Sequence, residues 1–546
     1  MKKFSILIMN FYPLFFAACI QLLAITSYAQ NTISRDLSFA GNGQLNTESQ
    51  LITLQSDDKI VGASSLGNQL TLNRYSANGL PDASFGNNGS ITHSFGSANI
   101  VSISNLSLPV FQDDGKILIS GTSYYYYGPN SFGSDIWNTC LTVWRFNSNG
   151  ALDLSFNNTG YYIWRPGFAD NGGSPSSSAS CIALQADGKI IVAGNGYNLL
   201  YYPGSGQNYS GDDLTVWRLL PNGTLDLSFN SKGFKSVDYY GSHTSPNSPY
   251  SGEGIMGLKI KPSGDAVVAV HQNLSNSTSE TLWGYYVFTA NGNSFSHLLA
   301  GNLGGTGTDG IKDLLLDIDG DVIISKSHYY TNAYSEVKKY TSANVLDNTF
   351  LVGNSELDNG TNTLYQSFYL AGIAFQSQKI IIGGSWHSYA NNTDYFSLIR
   401  LNASGTLDNT FNAGNYIFNE AYSNSDGHTL LKVYTQSTGK IIVTGTLNNQ
   451  FNLRRYSYES SSSIAPMQTM PVISVYPNPA NNHITVISGT NATGSSYSVA
   501  DPFGRIHLTG NLLYETSSID ISKLSAGLYF LKIGEQIQQT FKLIKE

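Results

Sequence analysis

The stretch LDIDGDV, from Leu316 to Val322, sets Asp317, Asp319 and Asp321 at alternate positions around a glycine. A calcium loop takes its first oxygen ligands from such a pattern. The later acidic ligand of an EF-hand does not follow, and a tight turn accounts for the segment equally well. His271, His328 and His387 recur at one place in successive units. A zinc site would need all three within about 2 Å of one ion, and they fall on separate sheets. GTGTDG at Gly305 matches GxGxxG, but a strand pattern follows it, whereas the dinucleotide fingerprint needs a helix. Neither HExxH nor GxSxG occurs. Asp82, Asp153, Asp226, Asp347 and Asp408 recur one per unit, in equivalent turn positions, where Asp bonds its own backbone. The expectation is no catalytic residue, no cofactor and no metal.

Tyrosine is the other side chain in excess. It crowds the stretches SYYYYGPNSFGSDIW at Ser123, YNLLYYPGSGQNYSGDD at Tyr197, DYYGSHTSPNSPYSG at Asp238, HYYTNAY at His328 and WHSYANNTDYF at Trp386. A tyrosine offers flat apolar area with one polar handle at little entropic cost, which suits sugars and peptides. The candidate ligand-binding residues are Tyr125, Tyr126, Trp137, Tyr201, Tyr202, Tyr239, Tyr240, Tyr329, Tyr330, Trp386 and Tyr389. Packing of these loops on one another is the alternative.

The elements that would carry those loops are spelled out repeatedly. LQADGKIIVAG at Leu184, FQDDGKILISG at Phe111 and TQSTGKIIVTG at Thr435 each put a turn between two short apolar stretches, as a β-hairpin requires. Seven such hairpins occur. Each is followed by a third strand such as LTVWRLLPNG at Leu214, mostly alternating in polarity as a half-buried strand does. In most units a turn of the form NG-x-LD-x-SF and a fourth strand come next. The seventh unit, ending near Tyr458, has no such turn, but an orphan copy, RDLSFAGNG, opens at Arg35. The expected fold is all-β: a seven-bladed β-propeller, a ring that hides its sheet edges by radial repetition. Asp36 to Asn46 would complete its last blade. The short turns then lie on one face of the ring and the Tyr-rich connections on the other.

Composition agrees with an exported β protein. Only 12% of the 546 residues are charged and the net charge is −8, which excludes the clustered cations of a nucleic-acid surface. Lys2 and Lys3, an apolar run from Phe4 to Ile25, and a small-x-small pattern ending at Ala29 form a signal peptide. Its removal takes away two lysines and no acid, leaving −10. FAAC, Phe16 to Cys19, has the look of a lipoprotein box, but the apolar run continues through Ile20, Leu22 and Leu23. No later stretch is long and apolar enough to span a membrane as a helix. Cys140 and Cys181 could pair in an exported chain, but two cysteines make no disulfide framework, and the expectation is that they are unpaired packing residues. The domains are a signal peptide (1–29), the propeller (30–459), a Ser- and Pro-containing linker (460–471) and a C-terminal domain (472–546).

The repeat wording, LQADGKIIVAG through LTVWRLLPNGTLDLSF, resembles the delta-60 repeats of bacterial secreted proteins over roughly Arg35 to Tyr458, a resemblance that implies a propeller-like architecture. The C-terminal domain reads as a small β-sandwich of short alternating strands. It closely resembles the type A sorting domain of type IX secretion cargo in Bacteroidetes. The matching residues are Tyr476, Pro477, Asn478 and Pro479; Gly504 and Arg505; and Gly527, Leu528 and Tyr529. That resemblance implies handling by the type IX machinery, export through the outer membrane, and release or attachment at the cell surface.

Two function classes follow. One is a non-catalytic recognition or adhesion module for a glycan or protein ligand; the other is a polysaccharide hydrolase or lyase on a propeller scaffold. Loops rich in Tyr, Ser, Asn and Gly but poor in Glu and His favour the first, since fold alone does not choose. Truncation at Ser460 is expected to retain the protein in the periplasm. Cell fractionation that finds the truncated chain outside the cell would defeat the export assignment.

Overall fold

The structure is a computed structural model. It describes residues 32–129, 133–165, 176–197, 212–237, 254–273, 281–302, 310–328, 334–350, 368–388, 393–412, 417–422, 429–447, 450–459, 474–487, 495–502, 505–514, 516–533 and 539–546. The chain divides into two compact units, Met1–Glu459 and Ser460–Glu546. Both are all-β, with no α-helix among the described residues.

The DGK hairpins build the first unit. In the third sheet, Ser176–Leu184 pairs antiparallel with Ile190–Tyr197, which pairs with Asp212–Leu219, which pairs with Phe234–Val237. Gly188 turns the first hairpin at φ +79, a value glycine reaches without strain. Among the described residues of this unit there are seven such sheets, mostly four-stranded and meandering. Strand direction puts the first-to-second and third-to-fourth turns of each sheet at one end. The second-to-third connection lies at the other.

The middle strands are buried on both faces, more fully than their alternating polarity predicts. Ile190 and Val192 pack toward the second sheet, while Ile191 and Ala193 pack toward the fourth. In the third strand of the second sheet, Trp144 faces the first sheet and Val143 the third. Polar Ser120 and Thr142 are also fully buried. A sheet covered on both sides reads as an apolar run, which explains KIIVAG. The packing passes from each sheet to the next. It continues from the seventh to the first through Phe39, Ile52, Ile60, Ile442 and Leu453.

An arginine near the end of the third strand ties neighbouring sheets together. Arg145 Nε donates to Asp153 Oδ2 at 2.7 Å, and its Nη1 donates to the Pro221 carbonyl of the next sheet at 2.5 Å. Its guanidinium lies 4.6 Å from the centre of the Phe156 ring. Arg74 repeats this with Asp82, Ser148 and Phe85, and Arg218 repeats it with Asp226, Ala290 and Phe229. The phenylalanine fits under the next sheet's NG turn. A Cβ on Gly150, at φ +88, would stand 2.7 Å from Phe85.

The orphan N-terminal segment supplies the same parts to the seventh sheet. Thr32–Arg35 and Gln44–Thr47 both pair with Gln450–Glu459. Arg455 Nε donates to Asp36 at 2.9 Å, its Nη1 reaches the Ala77 carbonyl of the first sheet at 2.7 Å, and it covers Phe39 at 4.9 Å. Ala40 N donates to Asn78 O at 2.8 Å, as Gly86 N does to Asn149 O at the next junction.

The second unit has two sheets. One pairs Ser474–Tyr476, His483–Ile487 and Thr516–Asp520. The other joins Ile506–Asn511, Ser496–Ala500, Gly527–Ile533 and Gln539–Lys545. Ile484, Val486, Val499, Leu531 and Leu543 form their common core.

Burial alone would raise the Asp82 and Asp36 carboxyls. Hydrogen bonds outweigh it, from Ser84 to Asp82 and from Lys440 and Ser38 to Asp36, together with the Arg74 and Arg455 charges. Both are held at about 2, against an ordinary 3.8. A depressed carboxyl stabilises the fold above its ordinary value and loses that contribution as pH falls through its folded value. The thermal midpoint is therefore expected to drop between pH 4 and pH 2, and a flat profile there contradicts the role given to these pairs. Arg145→Ala strands a buried carboxylate and is expected to cost about 3–5 kcal/mol, measured by urea unfolding at pH 7.

Candidate functional site

The second sheet departs from its neighbours. Its middle strands, Ile117–Pro129 and Asp135–Phe146, are 13 and 12 residues long, against 7 in each middle strand of the first sheet. The extra residues carry this hairpin roughly 17 Å further, at about 3.3 Å per residue. What reads in sequence as a Tyr-rich loop is mostly strand, because a run of tyrosines suits a pleated surface. Register pairs Tyr124 with Thr139, Tyr125 with Asn138 and Tyr126 with Trp137.

Alternation then sorts the aromatics. Tyr125 points inward and is 8% exposed. It meets Tyr127 edge-on at 5.0 Å, and its hydroxyl accepts from Arg165 Nη1 at 3.0 Å. Tyr127 in turn contacts the Cys140 thiol at 3.4 Å. Burial pushes both the Tyr127 hydroxyl and the Cys140 thiol up. Cys140 and Cys181 are free thiols, not a disulfide.

The opposite face is open. Tyr124 is 40% and Trp137 39% exposed. Their rings lie within 9° of parallel with centroids 5.6 Å apart, and Tyr126 lies 4.4 Å from Trp137 at 38°. A register shift between Ile136 and Trp137 marks a bulge beside this group, a device that re-aims side chains. The Tyr126 hydroxyl donates to Asp135 Oδ1 at 2.7 Å, and that carboxylate raises it above its ordinary value. The result is a platform of three aromatic rings bordered by an exposed carboxylate.

The other sequence candidates divide into two groups. Trp386 is not a surface anchor. It is 9% exposed, stacks on Tyr395 at 4.7 Å and 15°, and donates Nε1 to Ser397 Oγ at 2.9 Å. The strand Lys379–Ser388 runs on through its position, so its side chain joins the core of the fifth and sixth sheets. Tyr125 is corrected in the same way, since it lies on the inner face of its hairpin. Tyr201, Tyr202, Tyr239, Tyr240, Tyr329, Tyr330 and Tyr389 lie outside the described residues. Sequence reading missed Tyr124, although its spacing of two from Tyr126 was the available signal.

The carboxylate candidates are engaged in structure. Lys339 Nζ stands 2.8 Å from Asp317 and 3.0 Å from Asp321, so an ammonium occupies the place of a cation in the DIDGD turn. His271 is half-buried, and burial together with Lys312 lowers its pKa. His328 and His387 lie on strands of two other sheets, and their side chains are outside the described residues. Among the described residues no group of three His, Cys, Asp or Glu is placed to hold a metal. At the short-turn end, a cavity of 760 Å³ is lined by Gln112, Asp114, Gln185, Lys261 and Asp317 of four successive sheets. Gln185 spans to the next sheet, donating to Gly264 O at 2.7 Å.

In the second unit, the sorting-motif residues divide between packing and surface. Asn478 brackets the final strand, donating to Lys542 O at 2.7 Å and accepting from Ile544 N at 2.9 Å. Tyr529 is buried and donates to Ser525 O at 3.1 Å. Tyr476, Arg505 and Leu528 are exposed, and Gly504 lies outside the described residues. Residues 474–546 match the family model of the secretion system C-terminal sorting domain. Residues 112–156, 185–229 and 379–411, from the second, third and sixth sheets, match the β-propeller domain of unknown function DUF5122. The chain is a β-propeller protein with a type IX secretion sorting domain.

This exported propeller protein has no match among curated proteins. Similar solved structures include a polysaccharide lyase, an ulvan lyase, at 9% identity and TM-score 0.41, covering 81% of this chain and 98% of that one. The β-propeller domain of the Trilobed protease from Pyrococcus furiosus aligns at 8% identity and TM-score 0.36, over 76% and 96%. A protein of unknown function from Dyadobacter fermentans aligns at 11% and 0.33, over 65% and 95%. The sorting domain implies a surface or extracellular location, and no described helix is long and apolar enough to cross a membrane.

Trp386→Ala is expected to destabilise the first unit by about 3–5 kcal/mol, as loss of a buried aromatic does. A melting midpoint equal to wild type would return Trp386 to the list of surface anchors.

Proposed function

We propose that the first unit is a seven-bladed propeller closed by its N-terminal strands, that the second is a small β-sandwich, and that the propeller acts outside the cell as a non-catalytic recognition module. Closure is supported by the seam, where Asp36, Phe39 and Ala40 make the contacts that one continuous segment makes at each of the first three junctions. The recognition reading is carried by one observation: two exposed aromatic rings, Tyr124 and Trp137, lie together on the extended hairpin of the second sheet, with the half-buried Tyr126 packed on Trp137. Aromatic anchors on a rigid element bind at little entropic cost. The non-catalytic part is supported by where the carboxylates are. Asp36, Asp82, Asp153, Asp226 and Asp408 each pair with an arginine between sheets, whereas acid–base work needs them converging on a ligand.

Two measurements test this. Deleting residues 31–47 is expected to lower the melting midpoint sharply, and an unchanged curve counts against closure. Glycan and peptide arrays probed with the purified full-length chain are expected to show binding without turnover. A product released from any arrayed ligand would make the protein an enzyme instead.

A further inference from the structure

The platform on the second sheet has features that select among ligands. Its rings stand on two hydrogen-bonded strands, so their spacing is set by backbone register and not by loop motion. Tyr124 and Trp137 are near-parallel and partly exposed, and Tyr126 packs on Trp137 from the next position. Aromatic faces attract C–H groups through their negative quadrupole. The Tyr126 hydroxyl is directed into Asp135, so the polar group presented beside the rings is an exposed carboxylate, an acceptor with room for further hydrogen bonds. A fitting ligand has a flat C–H face and hydroxyl donors at its edge.

Charge narrows the choice. Asp135 borders the rings, and the chain carries a net charge of −8. A uronic-acid or sulfated polymer would bring like charge against Asp135. A second copy of the chain would do the same, setting one Asp135 near another. A pyranose without acidic groups meets no such repulsion. Resting on the recognition reading above, we infer that Tyr124, Tyr126, Trp137 and Asp135 form a subsite for an uncharged polysaccharide chain, with a sugar face against the rings and its hydroxyls on the Asp135 carboxylate.

The test compares soluble neutral glycans (β-glucan, mannan, xylan), acidic glycans (polygalacturonate, alginate) and a peptide library against the full-length chain. Binding is measured by affinity electrophoresis and calorimetry at fixed low salt. At least one neutral glycan is expected to bind. Trp137→Ala and Tyr124→Ala should each weaken it roughly 5- to 100-fold, Trp137→Phe should retain most of it, and Asp135→Ala should weaken it with an unchanged melting curve. If Trp137→Ala fails to fold, Tyr124→Ala and Asp135→Ala decide, since both side chains are exposed. Binding only to acidic glycans or peptides, lost in Tyr124→Ala, overturns the neutral-glycan assignment and leaves the recognition reading standing. Neutral-glycan binding that survives Tyr124→Ala and Asp135→Ala overturns this subsite. No binding to any probe overturns both.

Discussion

The first unit depends on a buried guanidinium. In five of its sheets an arginine on the third strand pairs with an aspartate and lies over a phenylalanine ring. In four of those five it also donates to a backbone carbonyl of the neighbouring sheet. Each part needs the others. The carboxylate offsets the desolvation of the guanidinium, and the ring covers one of its faces. A planar fork with five donors serves partners in two sheets at once, which an ammonium on a flexible stem does less well.

The exceptions follow the same logic. Val287 stands where the fourth sheet would have its arginine, and the turn after it, NGNSF, has no aspartate, so no carboxylate is left buried without a cation. In the fifth sheet Lys339 takes the arginine's place and reaches Asp317 and Asp321 of its own hairpin. Arg400 faces the seventh sheet, whose third strand has no NG turn after it, and bonds the Tyr458 hydroxyl instead of a carbonyl. In the seventh sheet itself, Arg455 finds its aspartate 419 residues away at Asp36.

These contacts lie at the short-turn end of each sheet, together with the glutamines that cross between hairpins. At the opposite end that network does not recur among the described residues, and strand length varies there. The second sheet uses this freedom by lengthening one hairpin and presenting aromatic rings along it. A rigid base with a variable rim is a common way to carry a binding surface.

Repetition made the all-β, propeller class of the first unit legible. DGK hairpins, NG turns and the displaced RDLSF copy are local signals with fixed turn chemistry, and seven spellings of one unit leave few alternatives. The sorting domain was legible for the same reason, through YPNP, GR and GLY. Side-chain facing in the Tyr-rich segments is not written in neighbouring residues. Whether Tyr124 or Tyr125 faces solvent depends on strand register, since a shift of one residue exchanges the faces. Trp386 reads as a loop residue until its strand is seen to continue into the core. The aspartates were rightly placed in turns, but their arginine partners went unread, because the contact that gives each pair its role crosses to another sheet. Turn chemistry is written in neighbouring residues. The facing of a ring and the burial of a charge are decided by strands distant in sequence.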